Sequence, residues 1–135
     1  MKAIADTGLL VAFANRDDRH HEWAVGVAAR VTEPLLTCEA VLAETAFHLQ
    51  SAETTLAMVN EGLVKVAFAC NDHLAQLAAL AKRFADRKPD LADLCLIRMS
   101  ELHPRHAVIT VDREDFRVYR RNKREIIPVI CPPMR

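Results

Sequence analysis

Short apolar runs alternate with stretches of helical spacing along this chain, and that alternation leaves few folds open to it. Residues 2–6, 35–37, 63–68, 107–111 and 126–130 read as strands, being apolar or alternating and carrying β-branched side chains. Between them, apolar spacing of three and four predicts helices over 9–15, 18–31, 38–50, 51–60, 72–86 and 90–102. Asp17 or Asp18 is the expected cap of the second of these, and Gly62 the stop after the fourth. Strands separated by helices imply right-handed crossovers and a mainly parallel central sheet covered on both faces, a three-layer α/β/α sandwich.

The chain has 135 residues, enough for one domain, and residues 1–135 are read as a single unit without repeats or low-complexity linkers. Lys plus Arg and Asp plus Glu number eighteen each, so no global positive field draws in a nucleic acid; a local patch or metal ions would have to do so. Cys38, Cys70, Cys95 and Cys131 form no C-x-x-C pair, which argues against a zinc knuckle and for buried thiols in a reducing compartment. No long apolar segment is present, and a cytoplasmic protein with no membrane partner is expected.

Four acids stand where a carboxylate is costly to keep. Asp6 closes the first predicted strand and Asp112 the fourth, and sites in such sheets form at the carboxyl ends of strands. Glu44 has Ala40 and Val41 a turn before it and Phe47 and His48 a turn after, so only His48 is polar among those neighbours. Asp93 shares a helix face with Asp90 three residues earlier. If the fold gathers these acids, their repulsion calls for a divalent cation.

Each acid also has a plainer role open to it. Asp90, following Pro89, fits a helix N-cap, and Asp112 fits a turn in Asp112-Arg113-Glu114-Asp115. Thr7 and Gly8 either start a helix or offer a hydroxyl and amides to a phosphate. His48 is either a surface residue or a partner of Glu44, and the pair His20-His21 lacks the spacing of a zinc site. Residues 117–124, from Arg117 through Tyr119, Arg120 and Arg121 to Arg124, pack five cations and one aromatic into eight positions, a place to hold a phosphate backbone or an ordinary solvated loop. Trp23 falls on an apolar stripe and reads as core.

Taken together, Ala5-Asp6-Thr7-Gly8, Glu39-Ala40-Val41-Leu42-Ala43-Glu44, Asp90-Leu91-Ala92-Asp93 and Thr110-Val111-Asp112-Arg113-Glu114-Asp115-Phe116 resemble, in this order, the motifs of a PIN domain, particularly the bacterial VapC-like toxin ribonucleases. The resemblance implies a Mg²⁺- or Mn²⁺-dependent endoribonuclease whose catalytic and metal-binding acids are Asp6, Glu44, Asp93 and Asp112, with Asp90 and Asp115 auxiliary. It further implies that Thr7 and Thr110 line the site, that the domain forms a homodimer, that RNA is the substrate, and that an antitoxin protein blocks the groove. Relatives sometimes carry asparagine at the Asp112 position, which leaves the division of labour between Asp112 and Asp115 open.

Such acids would hold one or two hard cations that polarise a phosphodiester and activate water, giving 5′-phosphate and 3′-hydroxyl products. No Ser-His-Asp or Cys-His constellation competes with this reading. An aspartyl phosphatase would want a second acid where Gly8 stands, and a phosphoreceiver domain a lysine after a late strand, where Cys131-Pro132 follows instead. A non-catalytic module that binds RNA or a partner, and a housekeeping RNA-processing nuclease, remain as alternatives.

Overall fold

The computed structural model of the protein describes residues 1–134. Five parallel strands form the central sheet: β1 (Ala3–Ala5), β2 (Leu35–Thr37), β3 (Val64–Val66), β4 (Ala107–Ile109) and β7 (Val129–Ile130), in the order β3-β2-β1-β4-β7. A separate antiparallel ribbon pairs β5 (Arg120–Arg121) with β6 (Glu125–Ile126). Helices α1 (Thr7–Ala14) and α2 (His21–Ala29) join β1 to β2, and α3 (Glu39–Leu49) with α4 (Ala52–Asn60) joins β2 to β3. The return from β3 to β4 carries α5 (Leu74–Arg83) and α6 (Leu91–Leu102), and the short α7 (Arg113–Val118) follows β4.

Right-handed crossovers running first one way across the sheet and then back place the two helix sets on opposite faces, the expected three-layer arrangement. The order reverses beside β1, so β1 and β4 are neighbours at the switch point, where their carboxyl ends leave a crevice. The inner strands are apolar throughout because both faces are covered: Ala3, Ile4, Ala5, Val108 and Ile109 are all buried, with Leu96, Ile97 and Met99 of α6 and Leu9 and Leu10 of α1 among the core.

Several elements depart from the sequence reading, each for a local reason. The strand expected over 126–130 is two strands in different sheets. Pro128 has no N–H to continue a ladder, and its carbonyl accepts from Val108 N at 2.9 Å while Ile127 turns into the core. The helix expected from Asp18 begins at His21, because the Asp18 side chain accepts from His20 N at 2.8 Å and closes the preceding turn instead of capping. The helix expected over 72–86 is α5 with a 3₁₀ turn at either end, Cys70–His73 and Ala85–Arg87. The charged connector after β4 contains α7, capped by Asp112.

Gly8 has a packing role. A Cβ there would collide with the Val111 side chain, so only glycine lets the start of α1 lie against the loop leaving β4. Trp23 is half-buried on α2, edge-on to His20.

Candidate active site

The register of β1 on β4 pairs Ala5 with Ile109, and the ladder continues one step further through Asp6 N, which donates to Ile109 O at 3.0 Å. Asp6 therefore emerges beside Thr110, and the two side chains meet across 104 positions of sequence: Thr110 Oγ1 donates to Asp6 Oδ2 at 2.7 Å. The other carboxylate oxygen of Asp6 accepts from Thr7 N at 2.6 Å and caps α1. Asp6 is thereby locked in place while only 8% exposed.

Helix α3 starts directly after β2 at the same rim and carries Glu44, whose Oε2 accepts from Thr7 Oγ1 at 3.0 Å. Helix α6 opens with Asp90 as its cap, accepting from Asp93 N at 2.8 Å, so the cap reading of Asp90 holds. Asp93, in the first turn, accepts from Tyr119 Oη at 3.2 Å through Oδ2. Asp112 N donates to Thr110 Oγ1 at 2.9 Å, and the Asp112 side chain caps α7 by accepting from Asp115 N at 3.5 Å.

These acids form one electrostatic group. Burial pushes Asp6 above the usual carboxylate range, outweighing its hydrogen bonds from Thr110 and Thr7, and the charges of Asp112 and Asp90 add to the rise. Burial raises Glu44 to about 7, helped by a carboxyl–carboxyl hydrogen bond and repulsion from Asp90 and by the Asp6 charge. Asp93 rises to about 7 through burial first and then Asp90, Asp6 and Asp115, although it sits at a helix N-terminus that favours the ionised form. Asp115 rises to about 6, first through a hydrogen bond with Asp112, then through burial and repulsion.

The expected substrate contacts fare differently. Thr7 and Thr110 do line the rim, and both hydroxyls are turned to carboxylates: Thr7 to Glu44, Thr110 to Asp6. Arg117 is exposed and pairs with Glu114 at 3.3 Å in solvent, while Arg120 bends back to the carbonyls of Arg117 and Tyr119. Arg121 requires a correction, being only 4% exposed. Its guanidinium donates to Ser100 O, Pro104 O and Glu125 Oε1 at 2.8, 3.1 and 2.7 Å, so it fastens the β5–β6 ribbon to the end of α6 and has no face left for a phosphate. His48 is exposed and edge-on to Phe47 rather than turned to Glu44.

Two contributors escaped the sequence reading. Tyr119 was grouped with the cations around it, yet its ring is buried; its helical spacing from Phe116 was the available signal. Arg87 lies close enough to Asp115 for its charge to oppose that residue's rise.

The donor set suits a hard divalent cation: all oxygen, mutually repelling, and fixed by hydroxyl and amide donors. Among the described residues no group of three or more His, Cys, Asp or Glu side chains is gathered closely enough to hold a metal ion as it stands, so the fit rests on the chemistry of the donors. An open rim of this kind fits an ion that keeps several of its own waters, as Mg²⁺ does. Asp6, Glu44, Asp93 and Asp112 are the residues that would face it, with Asp90 and Asp115 alongside.

The fold agrees with comparisons to known proteins. The chain is similar in structure to VapC20 of Mycobacterium tuberculosis, described as a sarcin-ricin loop cleaving toxin, with a TM-score of 0.68 and 18% identity over 79% of this chain and 87% of that one. No curated protein sequence matches the chain. The family model for the PIN domain matches residues 3–122, nearly the whole length, and the protein belongs to the PIN domain family.

Proposed function

We propose that this protein is a divalent-metal-dependent endoribonuclease of the VapC-like toxin type, acting in the cytoplasm on RNA and held in check by an antitoxin protein. The observation that carries the reading is the acid rim: side chains from four separate segments are brought together, oriented by Thr7, Thr110 and Tyr119, and carry more negative charge than Arg87 beside Asp115 offsets. Held ionised only at a cost, they form a site that gains by taking up positive charge.

Asp6, the most buried and most firmly held, would anchor the ion, with Glu44, Asp93 and Asp112 completing its protein contacts. Mg²⁺ or Mn²⁺ bound there would polarise the scissile phosphodiester and offset the charge developing on the leaving oxygen. Thr7 and Thr110 hold the carboxylates in position for this. Arg87 and Arg117 are the cations proposed to meet the RNA backbone, Arg87 from beside Asp115 and Arg117 from the surface of α7.

Phe47 of α3 and Leu56 of α4 are 78% and 61% exposed on adjoining helices, which supports a protein partner there, whether an antitoxin or a second copy in a homodimer. No helix among the described residues is long and apolar enough to cross a membrane.

The test is cleavage of a labelled RNA pool, including tRNA and ribosomal RNA, by purified antitoxin-free protein with Mg²⁺ or Mn²⁺, beside EDTA and an Asp93→Asn variant. Cutting that is lost in both controls supports the nuclease. A folded protein that cuts no RNA with either ion present returns the site to a non-catalytic binding role.

A further inference from the structure

Among the acids at the rim, Asp93 is held in an unusual way. Asp6 is fixed by two donors, the backbone amide of the next residue and the Thr110 hydroxyl, and Glu44 by the aliphatic hydroxyl of Thr7. Asp93 accepts a single hydrogen bond among the described residues, from a phenol 26 positions away at 3.2 Å. The ring that delivers it is 1% exposed and clamped edge-on by two others: Phe84 at 5.2 Å and 70°, Phe116 at 5.5 Å and 87°. Edge-to-face packing on two sides leaves such a ring little freedom, so its hydroxyl is a fixed point.

The clamp draws on two parts of the chain. Phe84 ends α5, Phe116 lies on α7, and Tyr119 is the residue at which α7 stops, its N–H donating to Asp115 O at 3.2 Å. Helix α7 also carries Asp115 and is capped by Asp112. One short helix thus sets two acids of the rim through its backbone and a third through the phenol.

We propose that Tyr119 is a positioning residue for the cation: its hydroxyl occupies Asp93 Oδ2, fixes the carboxylate plane, and leaves Oδ1 free to face the ion. The inference rests on the metal-dependent reading above and adds a residue to it. A ligand whose orientation is set in advance loses less freedom on binding, and removing such an outer partner weakens metal binding by about 10- to 100-fold where it has been measured.

Mn²⁺ binding to the full chain is measured by titration calorimetry, without RNA, for wild type, Tyr119→Phe and Phe116→Leu. Tyr119→Phe removes only the hydroxyl; Phe116→Leu loosens the clamp's packing and keeps it. The expected result is Mn²⁺ affinity about tenfold weaker in Tyr119→Phe, with Phe116→Leu within about threefold of wild type. In cleavage, Tyr119→Phe then needs more metal for half-maximal rate and recovers most of its kcat at saturating Mn²⁺. Equal Mn²⁺ affinity in wild type and Tyr119→Phe overturns the role of Tyr119, as does an equal loss in Phe116→Leu, which would make the effect one of packing. Wild type that binds Mn²⁺ yet cuts no RNA overturns the nuclease reading alone, and wild type that binds no Mn²⁺ overturns both.

Discussion

Two places in this molecule take charge out of water, and they resolve it in opposite ways. At the end of α6, the Arg121 guanidinium is buried against two backbone carbonyls and Glu125, whose carboxyl it holds below the usual range. All three nitrogens of that group donate within the chain. At the carboxyl rim of the sheet, Asp6, Glu44, Asp93 and Asp115 are crowded by one another and by burial, and all four are raised. A buried charge that is satisfied internally is part of the structure, whereas a set of like charges held together against their repulsion is kept for a ligand.

Substitutions should therefore separate the two regions by sign. The largest effect is expected at Asp6→Asn: cleavage falls by on the order of 10³-fold or more, since the contact to the ion contributes several kcal/mol to transition-state stabilisation. The metal-free variant should melt no lower than wild type, because one repelling charge has gone. RNA cleavage and a calorimetric melt of the same preparation check both halves. Arg121→Met is the mirror image: it strands Ser100 O and Pro104 O in the interior and should destabilise the fold by about 3 kcal/mol, read as a shift in the urea midpoint.

Gly8→Ala falls between these. The added methyl meets Val111 and pushes α1 away from the loop that carries Thr110 and Asp112, with an expected cost of about 1–3 kcal/mol and a loss of activity larger than the loss of fold. The contrast also has a pH signature. Glu44 and Asp93 titrate at about 7 in the fold and near ordinary carboxylate values when unfolded, so the folded state holds the extra protons between roughly pH 4 and 7. Metal-free stability should fall as pH rises through that window, and melts at pH 5 and pH 8 followed by circular dichroism check it. The smallest effect on stability is expected from Arg117→Ala, whose solvent-exposed ion pair with Glu114 contributes under about 0.5 kcal/mol, read as a nearly unchanged urea midpoint.

The sequence made the skeleton of this site readable and left its joints hidden. Asp6 and Asp112 could be placed because strand ends are legible and parallel sheets bind at one edge. Asp90 was legible as a cap because capping is local. The contact of Thr110 with Asp6 spans 104 positions, and nothing local distinguishes it from a strand-end threonine. Tyr119 and Arg121 sit in a run of cations, where composition suggests a solvated face; burial by α5, α6 and α7 turns both inward. The last strand was misread as one piece because a proline inside an apolar run leaves open which sheet each half will join.

The most direct measurement is the melting temperature of the metal-free protein and of Asp6→Asn at pH 5 and pH 8, with and without millimolar Mn²⁺. A ligand that binds only the folded state raises stability by mass action, about 2.7 kcal/mol at a hundred times its Kd. If the rim is a cation site, Mn²⁺ raises the wild-type melting temperature by several degrees, narrows the gap between pH 5 and pH 8, and leaves Asp6→Asn nearly unmoved. An equal shift in both proteins, or none in either, would contradict the claim that these acids are held together for a metal ion.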